Sequence, residues 1–184
     1  QPACLIDLAL GRGIDSHRLL RGSGLFYEDL LLPDTRLSAA QYLRLLDNAR
    51  TLLDAADSSF LLGQRLLPGH YGAASNLMLH ADTLLQALER LASCRALLSP
   101  LLAPRLHLDD HHVYLYWRET FGLGRNRRFL LEAGMTAVTS LGRSLVGQAL
   151  PWEYQLGWAQ PDYVEQYWVH MGERLRFEAW VSCM

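Results

Sequence analysis

The sequence predicts an α+β domain in which a mainly antiparallel sheet, made of a hairpin and later strands, is covered by several helices. Three observations support this prediction. Several segments carry apolar residues at helical spacing, one segment alternates apolar and polar residues around a turn, and two later segments alternate again. The chain has 184 residues, 50% of them hydrophobic, which is enough for one domain with a sizeable core. We therefore expect residues 1–184 to form a single domain.

The helical pattern begins with two brief helices within residues 4–32, where glycines interrupt the apolar spacing. A long amphipathic helix is predicted over residues 38–56. Ser38 and Gln41 form a capping box at its start, and apolar residues then recur at helical spacing. A short helix around residues 59–66 should end at the Pro-Gly turn that follows it.

Another short helix is predicted over residues 72–80. A second capping box, Thr83 with Gln86, then opens a helix with leucines on one side. This helix should end before Pro100, because the residue that precedes a proline disfavours helical backbone.

The clearest strand signal lies in residues 105–118, where two alternating runs flank a turn at residues 109–111. This pattern predicts a hairpin. The face that should pack on the core consists of Leu106, Leu108, Val113, Leu115 and Trp117. The opposite face is aromatic with polar tips and consists of His107, Tyr114, Tyr116 and Arg118. This second face suits a ligand wall, a subunit contact or ordinary cross-strand packing.

In the last third of the chain, the spacing of apolar residues alternates between that of helices and that of strands. Residues 129–148 carry apolar residues at helical spacing and predict a third long helix. Residues 152–158 alternate as a strand, residues 161–171 form a short helix with proline in its first turn, and residues 175–181 alternate again. These elements complete the predicted sheet and its helical cover.

The composition of the chain limits the kinds of partner that it is expected to bind. The net charge of -2 and the pI near 6.4 argue against this chain holding a nucleic-acid backbone on its own, because such binding needs a clustered positive surface. No apolar run approaches the roughly 18 residues that cross a bilayer. We therefore expect a cytoplasmic domain that contacts neither DNA nor a membrane by itself.

Signals for catalysis and for metal binding are weak. The sequence contains no Gly-x-Ser-x-Gly elbow, no His-Glu-x-x-His and no glycine-rich phosphate loop, so we expect neither enzyme activity nor a cofactor. The three cysteines are widely separated, and His111 and His112 lie in a turn where adjacent side chains diverge. We predict no metal site.

A series of motifs runs along the chain in a fixed order. It comprises a glycine before a Pro-Gly turn, a Thr-Leu-x-x-Ala-Leu helix start, a Ser-Pro before the hairpin, an acidic residue on the third long helix, and an aromatic-rich strand that leads to a short helix and a terminal Phe. These motifs are Gly63, residues 68–72, residues 83–88, Ser99 and Pro100, Glu132, residues 152–158, residues 161–171 and Phe177. The series resembles the N-terminal effector domain of the arabinose-binding branch of AraC-type transcription regulators.

The resemblance implies an effector-binding and dimerisation domain, present as a homodimer, that reaches DNA only through a separate helix-turn-helix domain. That domain does not follow Met184, so we expect either a truncated piece of a regulator or a stand-alone sensor. Residues 92–95 depart from the family pattern, in which an aromatic residue often ends the helix. The alternative is a module whose aromatic surface binds another protein or its own copy, with no small ligand.

An effector should contact a boundary between parts of the protein that can move. A ligand with equal affinity for two arrangements of the protein does not shift the equilibrium between them. The candidate ligand-binding residues are aromatic and polar residues that could meet between sheet and helices. They are Tyr71, Asn76, Tyr116, Arg118, Glu132, Trp152, Tyr154 and Trp158. For each of them, ordinary packing is the alternative.

Three arginines lie near the start of the third long helix, where the helix dipole disfavours positive charge. They are Arg125, Arg127 and Arg128. Their position predicts an anion or an acidic partner nearby and hints at a carboxylate effector. A solvated positive patch and a contact with the DNA-binding domain are the alternatives.

Overall fold

The computed structural model describes residues 2–30, 32, 35–69 and 71–184. His70, within the predicted motif at residues 68–72, lies outside the described residues. The helices are α1 Pro2–Gly11, α2 Ser16–Leu19, α3 Tyr27–Leu30, α4 Ala39–Leu53, α5 Ser58–Leu66, α6 Ala73–Leu79, α7 Leu84–Ser93, α8 Arg95–Leu98, α9 Arg127–Val146 and α10 Val164–His170. The strands are β1 Leu102–Leu108, β2 Val113–Glu119, β3 Tyr154–Gln155 and β4 Leu175–Arg176. The predicted α+β class is confirmed.

The predicted start of α4 is confirmed in its hydrogen bonds. The hydroxyl of Ser38 accepts from the backbone N–H of Gln41 at 3.2 Å, and the side-chain oxygen of Gln41 accepts from the backbone N–H of Ser38 at 2.9 Å. The backbone N–H groups of Ser38 and Gln41 thus both have acceptors at the helix start. The helix ends at Leu53, earlier than predicted, because Asp54 adopts left-handed backbone with φ 37°.

The helix opened by Thr83 differs from its prediction in two respects. The Thr83 hydroxyl accepts from the backbone N–H of Gln86 at 3.1 Å, as a cap should. The Gln86 side chain, however, accepts from the backbone N–H of Asp82 at 2.8 Å and not from that of Thr83. The helical stretch also breaks at Cys94, so that two helices, α7 and α8, precede Pro100.

The hairpin forms as predicted and defines one edge of the sheet. Strands β1 and β2 pair antiparallel from Leu102 opposite Glu119 to Leu108 opposite Val113. Burial falls along β1 towards the turn, and Leu108 is 47% exposed. The prediction that Leu108 packs in the core is therefore wrong, because its end of the strand is not covered.

The later strands are shorter than their sequence pattern suggests. Strands β3 and β4 are parallel and span two residues each. The end of the chain joins them to the hairpin, since Met184 exchanges two backbone hydrogen bonds with Leu115, at 2.8 and 2.9 Å, and Cys183 exchanges two with Gln155, at 2.8 and 3.0 Å. Glu178, with φ 56°, interrupts the predicted strand at residues 175–181.

Helices α5 and α9 make the closest helix contact in the core, and Gly63 permits it. A Cβ atom at Gly63 would lie 2.5 Å from the carbonyl oxygen of Ala133 and 2.7 Å from the Cβ atom of Thr136. Helix α9 also packs on the hairpin, where a Cβ atom at Gly134 would lie 3.1 Å from the indole nitrogen of Trp117. Helix α9 therefore lies between α5 and the hairpin.

None of the helices in the described ranges combines the length and the apolar content that crossing a bilayer requires.

We predict that Gly63→Ala lowers the free energy of unfolding by about 1–3 kcal/mol, because the added methyl group meets backbone atoms that cannot move aside. The matched control is Gly11→Ala at the end of α1, where nothing lies within 4 Å of the added Cβ atom. Chemical denaturation followed by circular dichroism measures both variants. Equal stability of the two variants would contradict the proposed close contact.

Candidate functional site

The carboxylate of Glu132 forms the centre of the candidate site. Glu132 lies on α9 and is only 3% exposed. Its Oε2 atom accepts from the hydroxyl of Ser59 on α5 at 2.6 Å. Its Oε1 atom accepts from Nε of Arg128 at 2.8 Å and from the hydroxyl of Tyr167 on α10. Arg128 compensates the buried charge, and three helices meet at one carboxylate.

The hydroxyl of Tyr167 is also fully hydrogen bonded. It donates to Glu132 and accepts from a terminal nitrogen of Arg128 and from the indole N–H of Trp158, each at 3.0 Å. Burial, followed by the negative charge of Glu132, raises the pKa of Tyr167 far above its ordinary value. The phenol therefore stays protonated as a hydrogen-bond donor.

Arg128 is held from several directions. Its guanidinium carbon lies 5.5 Å from the ring centroid of Trp158 and 5.3 Å from that of Tyr163, which are cation–π distances. Burial is the largest single influence on the pKa of Arg128 and acts to lower it. Hydrogen bonds and attraction from Glu132 and Tyr167 together outweigh burial, so this pKa is raised. The side chain remains 35% exposed, which leaves part of the guanidinium open to solvent.

Aromatic rings surround Tyr167 and fix its position. Phe60 of α5 meets it edge-on at a centroid distance of 4.9 Å, and Phe177 does so at 5.5 Å. Tyr163 stacks on it at 6.3 Å, one helical turn earlier. The hydrogen-bonded network of Glu132, Ser59, Arg128, Tyr167 and Trp158, hereafter the Glu132 network, is therefore clamped by apolar packing.

A cleft of about 310 Å³ opens beside this network. It lies between the end of α4, the start of α5, α9 and the residue before α10. Its polar and charged lining includes Arg50, Asp54, Ser58, Arg128, Glu132 and Tyr163. We call it the Glu132 cleft. Its volume is at the lower end of the range for small-molecule sites.

Only two of the predicted site residues meet at this place. Glu132 lines the cleft, and Trp158 joins the network through Tyr167 and Arg128. Trp152 and Tyr154 line a separate surface cleft of about 580 Å³ beside the hairpin turn. Tyr154 is 1% exposed, and its hydroxyl lies 2.6 Å from that of Thr139.

The other four candidates are dispersed. Tyr71 lines a mainly apolar pocket of about 360 Å³ near the start of α4. Asn76 is exposed on α6, while Tyr116 and Arg118 are exposed on the outer face of β2. The structure thus separates the predicted set into several locations, and none of these four contributes to the Glu132 cleft.

Ser59, Tyr163 and Tyr167 belong to the site but were not among the residues predicted from the sequence. Two signals were available in the sequence. Arg128, just before the predicted helix at residues 129–148, is four residues from Glu132, and Tyr163 is four residues from Tyr167 on the predicted helix at residues 161–171. No comparable signal exists for Ser59, which is 73 positions from Glu132.

Each of the three arginines near the start of α9 has an acidic partner within the chain. The pairs are Arg125 with Asp47 at 2.9 Å, Arg127 with Glu119 at 3.5 Å, and Arg128 with Glu132 at 2.8 Å. The hydrogen bond from Arg125 lowers the pKa of Asp47. The predicted acidic partner is therefore present, and these arginines do not need a carboxylate effector for charge compensation.

We predict that Tyr167→Phe lowers the free energy of unfolding by about 1–3 kcal/mol, because Arg128 and Trp158 lose their acceptor and Glu132 loses a donor. Tyr27→Phe is the control, since the Tyr27 hydroxyl makes no hydrogen bond to any described residue. Urea denaturation followed by tryptophan fluorescence measures both changes. A Tyr167→Phe protein as stable as the control would show that the network does not support the fold.

Comparison with known proteins agrees with this architecture. The family model for the N-terminal arabinose-binding domain of AraC transcription regulators matches residues 13–184. The matched range contains the hairpin, α9 and the whole Glu132 network. No curated protein matches the chain. The resemblance in the motif series is confirmed: the chain belongs to the family of N-terminal arabinose-binding domains of AraC transcription regulators and is an effector-sensing regulatory domain.

Proposed function

We propose that this domain binds a small effector in the Glu132 cleft and transmits its occupancy to a DNA-binding domain of the same regulator. The observation that carries the proposal is the Glu132 network, which connects the wall of the cleft to the inner face of α10. Arg128 lines the cleft and also donates to Tyr167 of α10 at 3.0 Å. An effector that accepts a hydrogen bond from Arg128 therefore changes the hydrogen bonding of Tyr167 on α10.

This arrangement satisfies the energetic requirement for a sensor. An effector shifts an equilibrium only by its difference in affinity between two states. Arg128 distributes its donors and its charge among Glu132, Tyr167 and two aromatic rings, so a new partner in the cleft competes with these contacts. Occupied and empty clefts then favour different placements of α10.

The site does not favour catalysis. Both carboxylate oxygens of Glu132 already accept from Ser59, Arg128 or Tyr167, and Arg128 neutralises its charge. A general base must be able to accept a proton from a substrate. Sensing agrees with the regulatory family of the chain.

We predict that at least one member of a metabolite library of amino acids, fatty acids and aromatic acids raises the melting temperature. A ligand at 100 times its dissociation constant adds about 2.7 kcal/mol of stability. Tyr163→Ala should weaken this effect because Tyr163 forms one wall of the cleft. Tyr116→Ala on the exposed face of β2 is the control and should retain it. Failure of every compound, or equal shifts in both variants, would argue against effector binding in this cleft.

We further propose that the domain forms a homodimer, as regulators that read two half-sites commonly do. Large apolar side chains are exposed on α10 and near the end of the chain. They are Trp168 at 50%, Val169 at 68%, Trp180 at 102% and Val181 at 56%. Exposed tryptophans are enriched in protein interfaces. The same exposed side chains support the alternative function, a protein-contact module without a small ligand.

We predict that wild-type protein sediments as a dimer and that the double variant Trp168→Ser, Trp180→Ser sediments as a monomer. The control is Phe26→Ser, which removes an aromatic side chain of 71% exposure elsewhere on the surface. Analytical ultracentrifugation at micromolar concentration distinguishes these outcomes. A double variant that stays dimeric would place the interface on another surface. Dimerisation without any effector binding would favour the alternative function.

A further inference from the structure

The first turn of α5 faces the Glu132 cleft. This helix has nine residues and begins at Ser58, which lines the cleft together with Ser59. The N-cap residue, Asp57, makes no side-chain capping hydrogen bond. The first backbone N–H groups of a helix lack partners within the helix, and this end carries a partial positive charge. The N–H group of Ser58 already donates to the carbonyl of Ala55 at 3.2 Å, and the carboxylate of Asp57 pairs with Arg12 at 2.7 Å. A negatively charged group in the cleft would accept from the N–H groups that follow, beginning with that of Ser59, and would be favoured by the partial charge of the helix start.

The side chain of Ser58 is an independent indication of a ligand. Ser58 is 3% exposed, and its hydroxyl oxygen is buried without a hydrogen-bond partner among the described residues. The neighbouring hydroxyl of Ser59, in contrast, donates to Glu132 at 2.6 Å. Buried hydroxyl groups are normally hydrogen bonded, because an unpaired one is costly. The oxygen of a ligand in the cleft would give Ser58 the missing partner.

Arg50 supplies a cation on another side of the cleft. It donates to the backbone carbonyl of Arg125 at 2.7 Å and to the side-chain oxygen of Asn126 at 3.0 Å, and both acceptors are neutral. No described carboxylate lies within 4.0 Å of its guanidinium group. Asp54 lines the cleft as an exposed residue, where solvent screens its charge. Arg50 also attracts Asp47 and helps to lower its pKa, but the direct partner of Asp47 is Arg125 at 2.9 Å. The guanidinium group of Arg50 therefore lacks a paired carboxylate and can attract the carboxylate of a ligand.

We propose that the Glu132 cleft binds an effector through a carboxylate, held by Arg50, the hydroxyl of Ser58 and the backbone N–H of Ser59 in the first turn of α5. The remainder of the effector lies against Tyr163 and Phe129, which form the aromatic part of the lining. This inference rests on the proposed function and specifies the ligand class. It does not depend on the charges of the three arginines near the start of α9, because each of these has an acidic partner in the chain.

The test compares three acids, benzoate, phenylacetate and 4-hydroxybenzoate, with their neutral amides, using calorimetric titration and thermal melting of the whole chain. We expect acids to bind at least about tenfold more tightly than their amides, because the amides lack the charge that strengthens hydrogen bonds to Arg50. Arg50→Gln should reduce the affinity for the acids by about tenfold or more. Arg174→Gln is the control, since Arg174 is exposed and pairs with Glu153 at 3.4 Å, outside the cleft.

Ser58→Ala separates ligand binding from folding. This variant removes a hydroxyl group that has no partner among the described residues, so its melting temperature should equal or exceed that of the wild type. Its affinity for the acids should nevertheless fall about tenfold. Ser59→Ala is the matched comparison and should lower the melting temperature, because Glu132 then loses a hydrogen bond.

The possible outcomes are distinct. Equal binding of acids and amides, or unchanged acid affinity in both Arg50→Gln and Ser58→Ala, overturns the carboxylate inference. Absence of acid binding up to millimolar concentration overturns it as well. If neutral library compounds then bind in a manner that depends on Tyr163, the effector function stands without a carboxylate. If no compound of either kind binds in the cleft, both proposals fail.

Discussion

The close contact of α5 with α9 at Gly63 is the constraint on which the rest of the structure depends. A side chain at this position would overlap the carbonyl oxygen of Ala133 at 2.5 Å, so only glycine lets the helices approach this closely. Ser59 lies one turn before Gly63, and Glu132 immediately precedes Ala133. The helix crossing therefore also brings the Ser59 hydroxyl to 2.6 Å from the Glu132 carboxylate. The packing of two helices thus sets the relative position of Ser59 and Glu132 at the centre of the site.

Sequence reasoning succeeded where the interactions are local. The cap of α4 and the hairpin depend on residues only a few positions apart, and both formed as predicted. The later strands depend on distant partners: Tyr154 pairs with Leu175, and Gln155 with Cys183. Alternation alone could not reveal that these pairings end after two residues.

The candidate site was predictable only in part, for the same physical reason. Glu132 was proposed because it is acidic on a predicted helix, and its bond to Arg128 is a local one of four residues. The bonds to Ser59 and Tyr167 span 73 and 35 positions and arise only from helix packing. The predicted aromatic residues lie in different surroundings: Tyr154 is buried with Thr139, while Tyr116 is exposed.

The position of α10 links the buried network to the molecular surface. Tyr167 points inward and is fully buried, whereas Trp168, the next residue, is 50% exposed. The buried hydrogen-bond network and the exposed indole of Trp168 therefore lie on the same short helix. An anion beside Arg50 shares the cleft with Arg128, and it competes with Glu132 for the positive charge that stabilises this network. Under the proposed function, the effector site and the proposed subunit contact would therefore be coupled through one helix.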